Sequence, residues 1–183
     1  MARPRKLNVI REKNGREQRN VVSAEVLFYR MRDLNRDGIS TDHAKDALAG
    51  FTLGRLLLRW RADKSDPGGI SQQQYDAGEQ WSSIVRKHAA IMGYKLHIHS
   101  PSFVMVGGGR DSNPDPDESY ITALRRQWSD SYSALMQSCV DHGMRVRDVT
   151  YGVCIENWPA ATLTLADYGG LRIGLNTLAR VLR

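Results

Sequence analysis

The chain has 183 residues, 41% of them hydrophobic and 25% charged, with a formal net charge of +6. That length allows one domain with a substantial core, and the absence of any 18-residue apolar run argues against a membrane span. Two cysteines, Cys139 and Cys154, are too few for a disulfide framework, and the basic start has no apolar stretch behind it, so a soluble cytoplasmic chain without a signal peptide is expected.

Charge is unevenly distributed along the chain. Arg3, Arg5, Lys6, Arg11, Lys13, Arg16 and Arg19 face only Glu12 and Glu17, which places +5 within the first 20 residues and leaves the remaining 163 close to neutral. So much like charge with so few apolar side chains cannot offset its own ordering entropy by burial. Residues 1–19 are therefore expected to form a disordered basic arm, and 20–183 a single helical domain. The partner such an arm suits best is an anionic polymer, with DNA first.

Val21, Val22, Ala24, Leu27, Phe28 and Met31 recur at helical spacing and predict a short amphipathic helix over 20–33. After a polar stretch, Thr41 is a candidate cap for a long helix to about Arg61 with Ala44, Leu48, Phe51, Leu53, Leu56, Leu57 and Trp60 on its stripe. Gly50 and Gly54 weaken that helix, each by about 1 kcal/mol relative to alanine, which points to close helix contact or to a start nearer Phe51. Asp66-Pro67-Gly68-Gly69 reads as a turn, and Ser71 with Gln74 as a capping box. The helix it opens runs to about Met92, burying Ala77, Trp81, Ile84, Val85 and His88, with Gly93 as its stop.

Residues 94–118 read as a long loop with at most one short strand, since they carry Pro101, Gly107-Gly108-Gly109 and an acidic, proline-bearing segment. The longest helix is expected from near Pro116 to Gly143, followed by one over 145–156, a connector at Asn157-Trp158-Pro159 and a terminal helix. Tyr168, Leu171, Leu175, Leu178 and Leu182 line the last. The fold class is mainly α, a compact multi-helix domain with a long central loop.

Motifs with chemical meaning are few. Asp33-Leu-Asn35-Arg-Asp37-Gly38 matches the first half of a calcium loop, but Ser40 and Ala44 stand where an aliphatic residue and a bidentate carboxylate belong, so a turn ahead of a helix is the preferred reading. His97 and His99 with Cys139 and His142 could supply four nitrogen or sulfur ligands for zinc, but no local feature unites them. Gly107-Gly108-Gly109-Arg110 lacks the Lys-Ser/Thr ending of a phosphate loop. No nucleophile or metalloprotease signature occurs, so no catalytic residue, metal ligand or cofactor is assigned and a non-enzyme is expected. Of Trp60, Trp81, Trp128 and Trp158, the first three read as core and only Trp158 as a surface contact.

The C-terminal pair of helices, 145–183, is a candidate helix-turn-helix unit, with Thr164 and Asp167 capping the second helix. Arg172, Asn176, Arg180 and Arg183 would line one outer edge, where arginine and asparagine can meet phosphates or base edges. Gly169-Gly170 opposes a helix beginning at Asp167.

Gln74-Tyr-Asp-Ala-Gly78-Glu-Gln-Trp81, the run Val149-Thr-Tyr-Gly-Val153-Cys154-Ile-Glu-Asn157-Trp-Pro159, and Leu171-Arg172-Ile-Gly174-Leu175-Asn-Thr-Leu178-Ala179 resemble an uncharacterised helical family. It is encoded by alphaproteobacterial prophages and by the genomes that host them. The resemblance spans about residues 70–182 and implies a shared helical fold; some members are joined to helix-turn-helix domains. Where the family's last helix ends in His-Tyr-Gly, this chain has Arg180-Val-Leu-Arg183. The MARPRK start is similar to arms on phage packaging and regulatory proteins. The function this implies is a phage or prophage DNA-binding transcription regulator in a bacterial host cell, including an antiterminator acting with RNA polymerase. The alternatives are a small terminase subunit that assembles as a homo-oligomeric ring around viral DNA, or a helical adaptor for another protein.

Overall fold

A computed structural model describes residues 22–96, 117–142 and 145–182. The basic arm, His97, His99, the glycine run, nearly all of the acidic loop and Arg183 lie outside the described residues. Among the described residues there are six α-helices and no strand. They are α1 (Ala24–Arg36), α2 (Thr52–Ala62), α3 (Gln72–Met92), α4 (Glu118–His142), α5 (Val146–Cys154) and α6 (Leu165–Val181). None of them is long and apolar enough to cross a membrane.

The capping signals act as local chemistry requires. Ser71 Oγ accepts from Gln74 N at 3.3 Å while Gln74 Oε1 accepts from Ser71 N at 2.9 Å, which satisfies two orphan donors at the start of α3. Gly93 closes that helix at φ +73°, a conformation that glycine reaches without a Cβ clash. Thr164 and Asp167 make the equivalent box on α6. That helix begins at Leu165 and runs unbroken through Gly169 and Gly170, against the expected disruption. The cap, together with burial of Gly170, Leu171, Gly174, Leu175 and Leu178, outweighs the weak helix propensity of two glycines.

The single long helix expected over 41–61 is divided. Two 3-10 turns, Thr41–Lys45 and Ala47–Gly50, precede α2. Asp46 divides the two turns, because its carboxylate accepts from Leu48 N at 2.9 Å and starts a new turn where a continuous helix would need a backbone bond. Gly54 lets the Leu48 carbonyl lie where a Cβ would stand. α1 also differs from expectation, starting at the Ser23 cap and turning Leu27 and Leu34 inward. Phe28 and Met31, expected on the inner stripe, are 65% and 45% exposed.

Burial falls into two clusters. The larger joins Leu53, Leu56 and Leu57 of α2 to Trp81 and Val85 of α3, Leu135 of α4, Val149 and Val153 of α5, and Leu171, Leu175 and Leu178 of α6. The smaller joins Leu34, Ile39, Ala44, Ala49 and Leu58, so α2 belongs to both and ties α1 to the bundle. α6 packs against α3, α4 and α5 and is the central helix. Its Gly174 faces Thr150 so closely that any Cβ would overlap the threonine hydroxyl, which draws α5 and α6 together.

A buried ion pair sits beneath α1. Asp37, in the segment that resembles half a calcium loop, accepts from Arg55 Nε at 2.6 Å, with the two side chains 0% and 2% exposed. Arg55 also reaches Thr52 Oγ1 at 3.0 Å and Ala49 O at 3.4 Å. Asp37 is therefore an internal counter-charge, and Gly38 at φ +71° makes the bend that follows. Asp33–Arg36 close α1 and only Asp37 and Gly38 form the turn expected of the whole segment, with the Asp37 carboxylate committed to Arg55.

Candidate nucleic-acid interface

The residues expected to contact nucleic acid fall in very different places. The seven cationic residues of the arm and Arg183 are outside the described residues. Of the three on α6, Arg172 does not line an outer edge. Its Nε donates to Gly69 O at 3.1 Å and its Nη2 to Asp66 O at 2.9 Å and Gly69 O at 2.7 Å. The same turn is gripped from α2, where Arg59 Nε and Nη2 donate to the two Asp66 carboxylate oxygens at 3.0 and 3.1 Å. Asp66-Pro67-Gly68-Gly69 thus lies between two guanidinium groups, and Arg172 holds α6 against the start of α3. Arginine has the planar fork that such multiple acceptance needs.

Asn176 and Arg180 are exposed, one turn apart on the open strip of α6. Asn176 Oδ1 already accepts from Gln74 Nε2 at 3.1 Å. With α3, α4 and α5 around the helix, that strip is narrow, and 155–164 form a connector containing the 3-10 turn Ala160–Thr162. The pair α5 and α6 is closely packed, but its second helix occupies the centre of the bundle, where a reading helix needs a broad free face to enter a groove.

A second surface feature lies at α4, α5 and the connector. Tyr132, Arg145, Arg147, Asp148, Tyr151, Glu156 and Trp158 line an open cleft of about 500 Å³. Its walls are built from inside outward. His88 stacks on Trp128 with centroids 4.4 Å apart, Trp128 on Tyr132 at 5.3 Å, and the Arg147 guanidinium lies 5.8 Å from the Tyr132 ring centroid. Arg147 donates to Tyr132 Oη at 2.8 Å and to the Asp148 carboxylate, and these bonds, Asp148 first, hold its pKa above the ordinary arginine value. Trp158 Nε1 donates to Glu156 Oε2 at 2.6 Å. Gly152 makes room for the indole, since a Cβ there would overlap the Trp158 ring.

Two arginines and two carboxylates balance in this cleft, so its field does not select phosphate. Its aromatic lining suits a planar or apolar group. Apart from Trp158, no sequence signal marked it, because the stack joining His88, Trp128, Tyr132 and Arg147 draws on three helices. Trp158, expected as the one surface tryptophan, is half-buried and lines the cleft.

Of the two thiols, that of Cys154 is poorly placed for nucleophilic chemistry. Cys154 is buried, and burial pushes its pKa well above the ordinary thiol value. Cys139 Sγ accepts from Arg147 N at 3.3 Å. Among the described residues, no group of three or more His, Cys, Asp or Glu side chains is gathered where it could hold a metal ion.

Comparison with protein-family models, curated proteins and solved structures yields no match for this chain. The functional reading therefore rests on the chain's own residues.

Proposed function

We propose that the chain is a non-enzymatic DNA-binding protein whose basic arm holds phosphates while the helical body supplies shape and partner contacts. One observation carries this reading: +5 of the net +6 lies in the first 20 residues, ahead of a nearly neutral remainder. A polyelectrolyte gains counterion-release entropy from such a segment, and a folded body without a field of its own cannot substitute for it. Arg172 is removed from the contact set by its role at the 66–69 turn, which leaves Asn176 and Arg180 as auxiliary contacts on α6. Within this reading, the form we propose is a transcription regulator with RNA polymerase as a further partner.

The test is a salt titration of duplex-DNA affinity. It compares the intact chain with a full-length variant in which Arg3, Arg5, Lys6, Arg11, Lys13, Arg16 and Arg19 are glutamine. Each lost phosphate contact lowers the slope of log K against log salt by about 0.9, so a fall of several units is expected. An unchanged slope, or no binding by the intact chain at low salt, overturns the proposal. Solution mass separates regulation from packaging: a monomer or dimer fits a regulator, and a closed ring fits the terminase alternative.

A further inference from the structure

The cleft between α4, α5 and the connector has walls fixed from behind. A Cβ at Gly152 would fall on Cδ2 of Trp158, a ring-fusion carbon with no outer edge, so the glycine lies under one face of the indole. Glu156 Oε2 holds the same ring by accepting from Nε1 at 2.6 Å, and the half-buried indole lines the cleft. Tyr132 is held by its stack on Trp128 and by the Arg147 bond to its hydroxyl. Tyr151 differs. Its ring meets Trp81 edge to face with centroids 6.2 Å apart, but among the described residues no group bonds its hydroxyl. Burial first, then the charge of Glu156, raises its pKa, so that hydroxyl keeps its proton and can donate it to a hydrogen bond.

The charges of the cleft are matched within the chain. Arg147 Nε donates to Asp148 Oδ1 at 2.8 Å and Arg145 Nη2 to Asp167 Oδ1 at 3.1 Å, so an anionic ligand would have to compete with a carboxylate at either guanidinium. A cationic ligand would meet the same two arginines. An uncharged one disturbs neither pair.

We infer that the cleft is a binding site for an uncharged bicyclic heteroaromatic molecule of purine size, which stacks on Trp158 and accepts a hydrogen bond from the Tyr151 hydroxyl. The site goes beyond the DNA-binding reading and draws only on described residues. Stacking on an aromatic side chain needs a π-face and no charge, and one placed hydroxyl sets the orientation of the stacked ring. Two fused rings match the area of an indole. The volume of about 500 Å³ lies within the range of about 300 to 1,000 Å³ typical of small-molecule sites.

The experiment is isothermal titration of the full chain with adenosine and with caffeine, two uncharged purines. Binding in the millimolar range or tighter is expected, with no change across a salt series, because no ion pair forms or breaks. Tyr151→Phe keeps the ring and removes only the unbonded hydroxyl, so its melting temperature should match that of the intact chain while affinity falls roughly threefold to tenfold. Trp158→Phe should lose roughly tenfold through the smaller stacking area. Should that variant fail to fold, Tyr151→Phe carries the test alone. Adenosine monophosphate and tetramethylammonium serve as anionic and cationic probes, on the full-length variant whose seven arm cations are glutamine, so that the arm adds nothing to either. That variant should bind the uncharged purines as the intact chain does, which separates failure of this site from failure of the DNA reading. The inference is overturned if neither purine binds, or if Tyr151→Phe binds them as tightly as the intact chain. It is also overturned if the monophosphate or tetramethylammonium binds the arm variant more tightly than the uncharged purines do.

Discussion

Asn157 Oδ1 accepts a hydrogen bond from Thr52 N at 2.7 Å, so a residue in the α5–α6 connector caps a helix 105 positions earlier in the chain. α2 needs this bond because its own N-cap residue, Phe51, has no side-chain acceptor. Asn157 is also the one described non-glycine residue at positive φ, +59°, a conformation asparagine tolerates better than most. Asn157→Gly removes the cap alone and should cost about 1 kcal/mol, whereas Asn157→Ala adds left-handed strain and should cost about 2 to 3 kcal/mol. Urea unfolding of both variants checks the order; an alanine variant as stable as the glycine variant would contradict it.

Asp37 and Arg55 form the buried pair beneath α1. Asp37→Ala leaves a guanidinium buried without its counter-charge and should destabilise the fold by about 3 to 5 kcal/mol, while replacing both partners with apolar residues should recover much of the loss. Because the carboxylate is occupied by arginine, millimolar calcium should leave the melting temperature of the intact chain unchanged. A calcium-dependent rise of several degrees would show that Asp33, Asn35 and Asp37 can regroup around an ion.

His88 is buried, with Nδ1 3.1 Å from Tyr94 Oη and its ring stacked on Trp128. Burial first, then the charge of Arg125, lowers its pKa below the ordinary value of 6.5. The fold therefore favours neutral imidazole, and the unfolded chain takes up the proton first as pH falls. The stability His88 contributes is complete above 6.5 and is lost as pH drops from there toward the folded value. Glu79, whose pKa is raised by burial, changes stability in the opposite sense, so the test is a difference. Comparing unfolding free energies at pH 7.5 and 5, His88→Phe should lose less stability on acidification than the intact chain. Equal losses would remove His88 as the source.

Arg172 separates a folding role from a binding one. Arg172→Ala should destabilise the chain by about 2 kcal/mol, since several carbonyl contacts at the 66–69 turn disappear together. Under conditions where the variant remains folded, its DNA salt slope should match that of the intact chain. A slope reduced by about one unit would instead put Arg172 on a phosphate.

What could be read from the sequence follows from the range of the interactions involved. The Ser71 and Thr164 capping boxes, the Gly93 stop and the stripes of α3 and α6 were legible, because each is complete within a few residues and recurs with the helical period. The division of 41–61 was visible only as a weakness at Gly50 and Gly54. Deciding it took the Asp46 cap and the Leu48 carbonyl lying against Gly54.

The candidate site was legible only in part. The order of residues along the chain determined the helical class, through the period of its apolar positions, and the concentration of charge in 1–19, since both can be read without knowing which elements pack together. Tertiary structure decided what individual polar residues are for. Arg172 has the same local setting as Arg180 on an amphipathic helix, yet one clasps a turn more than 100 residues away in sequence and the other faces solvent. Phe28 reads as core by its spacing and becomes surface because Leu27 and Leu34 fill the space beneath α1. A periodic pattern says that a helix has an apolar face; which part of that face is covered depends on the shape and position of the elements packed against it.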